Sequence, residues 1–130
     1  MSEPAHSELH RSAKPILAVK GLSKRFTIGG QTVEALRDVN LTINKGEFIC
    51  LIGASGCGKS TLLRIIAGFE TASAGSVEMY GTPITGPGPE RGMVFQDFAL
   101  FPWLTVKQNI GFGPRQRSLP ADKLDEVSMK

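Results

Sequence analysis

Nine contiguous residues carry the clearest chemistry in the chain: Gly53, Ala54, Ser55, Gly56, Cys57, Gly58, Lys59, Ser60 and Thr61. They match G-x-x-x-x-G-K-[ST] and lie between two apolar runs, residues 48–52 and residues 62–67. The residue types have a physical reason. Glycines let the backbone bend so that several N–H groups point inward and cradle phosphate oxygens. A helix beginning near Lys59 aims its positive N-terminal end at the same place. In such a loop the lysine reaches the β- and γ-phosphates, and the Ser60 hydroxyl helps to hold Mg²⁺. The plain alternative is a Gly-rich turn ending in a surface lysine. The strand signal before the loop and the helix signal after it argue against that alternative.

Composition frames the loop. A chain of 130 residues can bury one core. Its 41% hydrophobic and 21% charged residues are the values of a globular protein. Fifteen Lys and Arg against twelve acidic residues leave a net charge of +3. The basic residues are scattered, so no nucleic-acid partner is expected. Cys50 and Cys57 have neither zinc nor C-x-x-C spacing and read as free thiols. Cys57 beside a helix N-terminus reads as a small loop residue, with a lowered thiol pKa as the alternative. No apolar segment approaches the ~18 residues that span a bilayer. Residues 1–14 lack the apolar run of a secretory signal and read as a disordered tail. His6 and His10 lie in that tail without further metal ligands, and a solvated tail is the reading there.

The elements that must position the loop follow in order. A strand is expected over residues 16–19 and another near residues 24–27, with a hairpin turn at Gly29-Gly30. An extended pattern resumes at residues 32–36. Val39, Leu41 and Ile43 alternate with polar residues, as in a strand with one buried face. Asn44-Lys45-Gly46 is a turn. Residues 47–52 are expected to enter the sheet centre as a parallel strand buried on both faces. Gly68 fits a C-terminal cap. Residues 76–80 form a strand, the Pro- and Gly-rich residues 82–90 a loop, and residues 93–95 a buried strand. Thr105 caps a helix through Ile110, which Pro114 ends. A further helix starts at Leu119.

In that order the features become recognisable. From Ile16 onward the chain resembles the ATP-binding cassette family, the nucleotide-binding subunits of transporters. The resemblance rests on GASGCGKST, on MVFQDFALFPWLTVKQNI, and on LSKRF and EALRDVNLTINKGEFICLIG leading into the loop. The form FPWLTV is most like that of importers of nitrate, sulfonate or taurine. The resemblance implies an α/β fold. It has a P-loop NTPase core, with a mixed and partly parallel sheet and helices, plus an N-terminal antiparallel β subdomain. Residues 15–130 would be the N-terminal portion of that domain. ATP and Mg²⁺ are the implied cofactors. Phe26, where the family more often has Tyr, would stack on adenine, and Val33 would flank the same base. Lys59 and Gln96 would be the catalytic positions present. Gln96 would reach toward Mg²⁺ and the attacking water, and Ser60 would share the metal. The implied partners are a second copy of the subunit and transmembrane permease subunits. The permease would dock on the segment carrying Phe98, Phe101 and Trp103, whose apolar character otherwise reads as core. The location implied is cytoplasmic, peripheral on the inner face of the membrane through the permease.

The family also needs four apolar residues followed by Asp-Glu, a Ser-Gly-Gly-Gln signature and a later His. None of these follows the loop. The expectation is an N-terminal portion that holds nucleotide but lacks what positions water for phosphoryl transfer. Two readings compete for it: an ATP-binding importer subunit, and a non-catalytic nucleotide-binding or interaction fragment. A small P-loop kinase is disfavoured by the antiparallel strands before the loop. A dinucleotide fold is disfavoured because Gly56-Cys57-Gly58 lacks the third glycine.

Overall fold

Leu17, Val19 and Leu22 are buried while Lys20 is exposed, the two-sided pattern of a strand that covers a core. In the computed structural model, residues 14–56 and 58–118 are described, with Pro120, Lys123 and Glu126. Strand β1 spans Leu17–Ile28 and β2 spans Gln31–Ile43. They pair antiparallel across the Gly29-Gly30 turn, with Leu17 opposite Ile43 and Phe26 opposite Val33. Strand β3, Ala74–Met79, pairs with the other edge of β1, and the short β4, Thr82–Pro83, extends the sheet to the order β2-β1-β3-β4. The β1–β2 register is irregular between Val19 and Leu22. Polar side chains satisfy the backbone there: Gly21 N–H donates to Asn40 Oδ1 at 2.8 Å, and Asp38 N–H donates to Ser23 Oγ at 3.0 Å.

Helix α1, Lys59–Ala67, buries Leu62 and Ile65, three residues apart on one face. They join Leu17, Val19, Leu22, Leu36 and Val77 in one core. Leu22 is 0% exposed. Each such side chain contributes about 1.5–3 kcal/mol by leaving water. The helix stops at Gly68, whose φ of 85° is left-handed. Gly68 N–H bonds Ile65 O at 3.0 Å and Phe69 N–H bonds Arg64 O at 2.9 Å, which closes the last turn. A side chain at position 68 would meet the Gly86 carbonyl, since its Cβ would lie 2.2 Å from that oxygen.

The chain divides into two units, Met1–Met93 and Val94–Lys130. In the second, helix α2, Val106–Ile110, begins at Thr105, as its sequence indicates. Thr105 Oγ1 accepts from Gln108 N–H at 3.2 Å, and Gln108 Oε1 accepts from Thr105 N–H at 2.9 Å, a complete capping box. Helix α3, Phe112–Gln116, follows after Gly111.

Three expectations are corrected. Residues 47–52 and residues 93–95 are not strands, and Ile52 and Val94 are 94% and 98% exposed. An apolar run marks a segment that can be buried, but a strand's N–H and C=O groups need neighbours to pair with. No strand among the described residues offers them a ladder. The sheet formed here is the antiparallel one. Pro114 does not end α2. It is the third residue of α3, where a missing N–H leaves no intrahelical bond unmade. The tail, with His6 and His10, lies outside the described residues, as does most of the helix expected from Leu119.

Candidate functional site

The candidate phosphate loop lies between an exposed stretch without regular structure and α1. Residues 53–56 are exposed, with a turn at Ser55-Gly56, and Gly58 caps α1 at a φ of 93°. Gly58 is required on two counts. Its φ is costly for any residue with a Cβ. A Cβ there would also lie 2.4 Å from the Ala35 carbonyl oxygen and 2.8 Å from Leu36 Cδ2. The loop therefore lies directly against β2, two residues beyond Val33.

The start of α1 suits an anion. No side chain caps it, and its first turn contains no acidic residue. Its N–H groups and dipole leave partial positive charge there. The Lys59 ammonium is folded back over the loop, donating to the carbonyls of Gly53 and Ala54, the latter at 2.8 Å. Ser60 is exposed in the first turn and Thr61 half-buried. Cys57 lies outside the described residues, and Cys50 is an exposed free thiol. An uncapped helix end, a glycine backbone close to β2 and a lysine held on loop carbonyls together fit a polyphosphate with its Mg²⁺.

Phe26 and Val33 are direct cross-strand partners near the tip of the β1–β2 hairpin. Phe26 is half-buried and Val33 exposed. Sequence reasoning missed what supports the Phe26 ring. Lys24 is only 8% exposed, and its ammonium lies over that ring, 4.9 Å from the centroid. The same Nζ donates to Glu70 Oε1 at 2.6 Å and to Thr71 O at 2.7 Å. That pairing satisfies a cation largely removed from water. The bond from Lys24, aided by Thr71 N–H, holds the Glu70 carboxyl below its ordinary value of 4.5. No local signal marks this group, because Lys24 and Glu70 are 46 positions apart.

Gln96 is exposed in the second unit, and the phosphate loop belongs to the first. The apolar segment beside Gln96 does not read as core: Phe98 is 95% and Trp103 75% exposed. Phe101 is partly buried, its ring 5.3 Å from that of Trp103 and 4.5 Å from that of Phe112. Asn109 clasps the loop from α2. It accepts from Phe101 N–H at 2.9 Å and donates to the carbonyls of Phe101, Leu104 and Thr105. Leu100, Phe101, Ile110 and Phe112 help to line an apolar cavity of about 440 Å³. Among the described residues no helix is long and apolar enough to cross a membrane.

The chain has relatives among known proteins. The chain is 50% identical over 97 residues to the nitrate import ATP-binding protein NrtD of Synechocystis sp., covering 75% of this chain and 36% of the relative. It is 49% identical over 102 residues to the taurine import ATP-binding protein TauB of Jannaschia sp., covering 78% of this chain and 38% of the relative. The chain thus spans little more than a third of the length of these relatives. Among solved structures, the dimeric, post-hydrolysis ATP-binding cassette MJ0796 bound to ADP and Pi superposes with a TM-score of 0.77 at 27% identity, covering 87% of this chain and 54% of the cassette. The α/β cassette fold and its N-terminal antiparallel sheet are therefore those expected from the sequence. The family profile described as ABC transporter matches residues 36–130, and the chain belongs to that family.

Proposed function

We propose that this chain supplies the nucleotide-binding portion of an ABC importer's ATP-binding subunit. One observation carries the reading: the Lys59 ammonium is held on the Gly53 and Ala54 carbonyls at an uncapped, acid-free helix N-terminus. A triphosphate exchanges those carbonyls for stronger, charge-assisted bonds to its own oxygens. The N–H groups at the start of α1, which no side chain caps, then donate to the phosphate oxygens. The exposed Ser60 hydroxyl offers a ligand to Mg²⁺, which supplies charge neutralisation when bound. Phe26 stacks on the adenine, and Val33, directly opposite, flanks it.

The partners follow from the relatives, which are import ATP-binding proteins, and from the dimeric cassette. A second copy of the subunit faces the nucleotide, and a permease holds the pair at the cytoplasmic face of the membrane. The exposed Phe98 and Trp103, with Phe101 bracing Trp103, form the docking surface. Calorimetric titration with Mg-ATP tests the nucleotide reading. The expected result is binding by the wild type and a loss of about 10- to 100-fold in Lys59→Ala, the worth of a hydrogen bond to a charged group. Equal affinity in the two proteins overturns it. Phosphate release in the same samples separates the two competing readings, binding with turnover and binding alone.

A further inference from the structure

We infer that Lys24 is a positioning residue for the nucleobase, acting through the Phe26 ring. The inference rests on the reading above that Phe26 stacks on the base. The ammonium lies over the ring at 4.9 Å from its centroid. It is not a wandering surface charge. Lys24 is 8% exposed, and its Nζ bonds Glu70 Oε1 and Thr71 O fix the cation over the aromatic face.

Two physical effects follow. A cation on one face of an aromatic ring is attracted to the ring's negative quadrupole, and attraction grows where water is excluded. Electron density drawn toward Lys24 leaves the opposite face poorer, and an electron-rich purine stacks better on such a face. The second effect is mechanical. Glu70 and Thr71 lie just past Gly68, the residue that ends α1, and the phosphate loop opens the same helix. Nearby, Arg25 N–H donates to Ser73 Oγ at 3.0 Å and Ser73 N–H to Ser23 O at 2.9 Å. The strand carrying the stacking ring is thus fastened, through Lys24 and its neighbours, to the far end of the helix whose near end holds phosphate. Base and phosphate recognition share one rigid support.

The test compares Mg-ATP with inorganic tripolyphosphate, which engages the phosphate loop but has no base. Lys24→Met keeps the apolar stem and removes the charge. The expected result is Mg-ATP binding weakened about 3- to 10-fold, with tripolyphosphate binding unchanged within about 2-fold. Lys24→Arg, which keeps a cation over the ring, restores Mg-ATP affinity. In a Phe26→Ala background, Lys24→Met has no further effect on Mg-ATP. A uniform loss for both ligands, or no loss for either, overturns the inference, since an ion pair that only supports the fold does not discriminate between them. If Lys24→Met loses its folded signal, Glu70→Gln loosens the ammonium while leaving it an acceptor, and the same selective loss is expected at smaller size. Wild-type protein that binds tripolyphosphate as tightly as Mg-ATP sinks the base contact alone. Wild-type protein that binds neither sinks the nucleotide reading itself.

Discussion

Gly58 shows how one residue answers to two demands. The motif places a glycine there so that the backbone can approach phosphate. The structure adds that this glycine also lies against the Ala35 carbonyl, with a φ of 93°. Gly58→Ala is therefore expected to destabilise the first unit by at least about 1 kcal/mol, apart from any loss of binding, as measured by urea unfolding without ligand. Glu70 makes a second residue-level prediction. Its folded pKa is depressed, first by the bond from Lys24 and then by Thr71 N–H. A depressed carboxylate stabilises the fold above its unfolded pKa, near 4.5, and that contribution is lost as pH falls through the lower folded value. The stability gap between wild type and Glu70→Gln should be full at pH 7 and shrink steadily below about pH 4. A gap independent of pH contradicts the pairing. At this scale the glycine turn that opens α1 at Lys59 was legible, because its residues are adjacent. Lys24 and Glu70 were not, because an ion pair across 46 positions leaves no spacing pattern in the chain.

Among the elements, those stabilised by their own residues were read well. Thr105 and Gln108 spell a capping box, and α2 begins there. Thr105→Ala should weaken the start of α2 by about 1 kcal/mol, so hydrogen exchange of the Gln108 amide should quicken about 5-fold. Unchanged exchange means that the Asn109 clasp alone sets the helix start. The β1–β2 hairpin was legible for the same reason, since both strands and the turn lie within one stretch. Residues 47–52 and 93–95 were misread because hydrophobicity marks what burial would favour, not which partner provides it. Pro114 was misread because its effect depends on its place in a helix. A new helix starts just before it, at Phe112.

On the scale of the whole molecule, the exposed apolar segment of the second unit is the surface proposed above as the dock. Trp103 is held by Phe101, and Phe101 is bracketed by Phe112 and tied to Asn109. Such support fits a surface that meets a partner. Trp103→Ser should reduce co-purification with the permease while leaving Mg-ATP binding by the first unit intact, and undiminished co-purification places the dock elsewhere. The sequence by itself determined the G-x-x-x-x-G-K-[ST] motif at the start of α1, the hairpin, the caps and the family, because each is written in residues close together in the chain. The tertiary structure alone decided that Lys24, paired with Glu70, lies over the Phe26 ring, that Gly58 is locked against β2, and that Phe98 and Trp103 face solvent. Those outcomes depend on which distant segments come to lie side by side, and no local pattern of residue types records that.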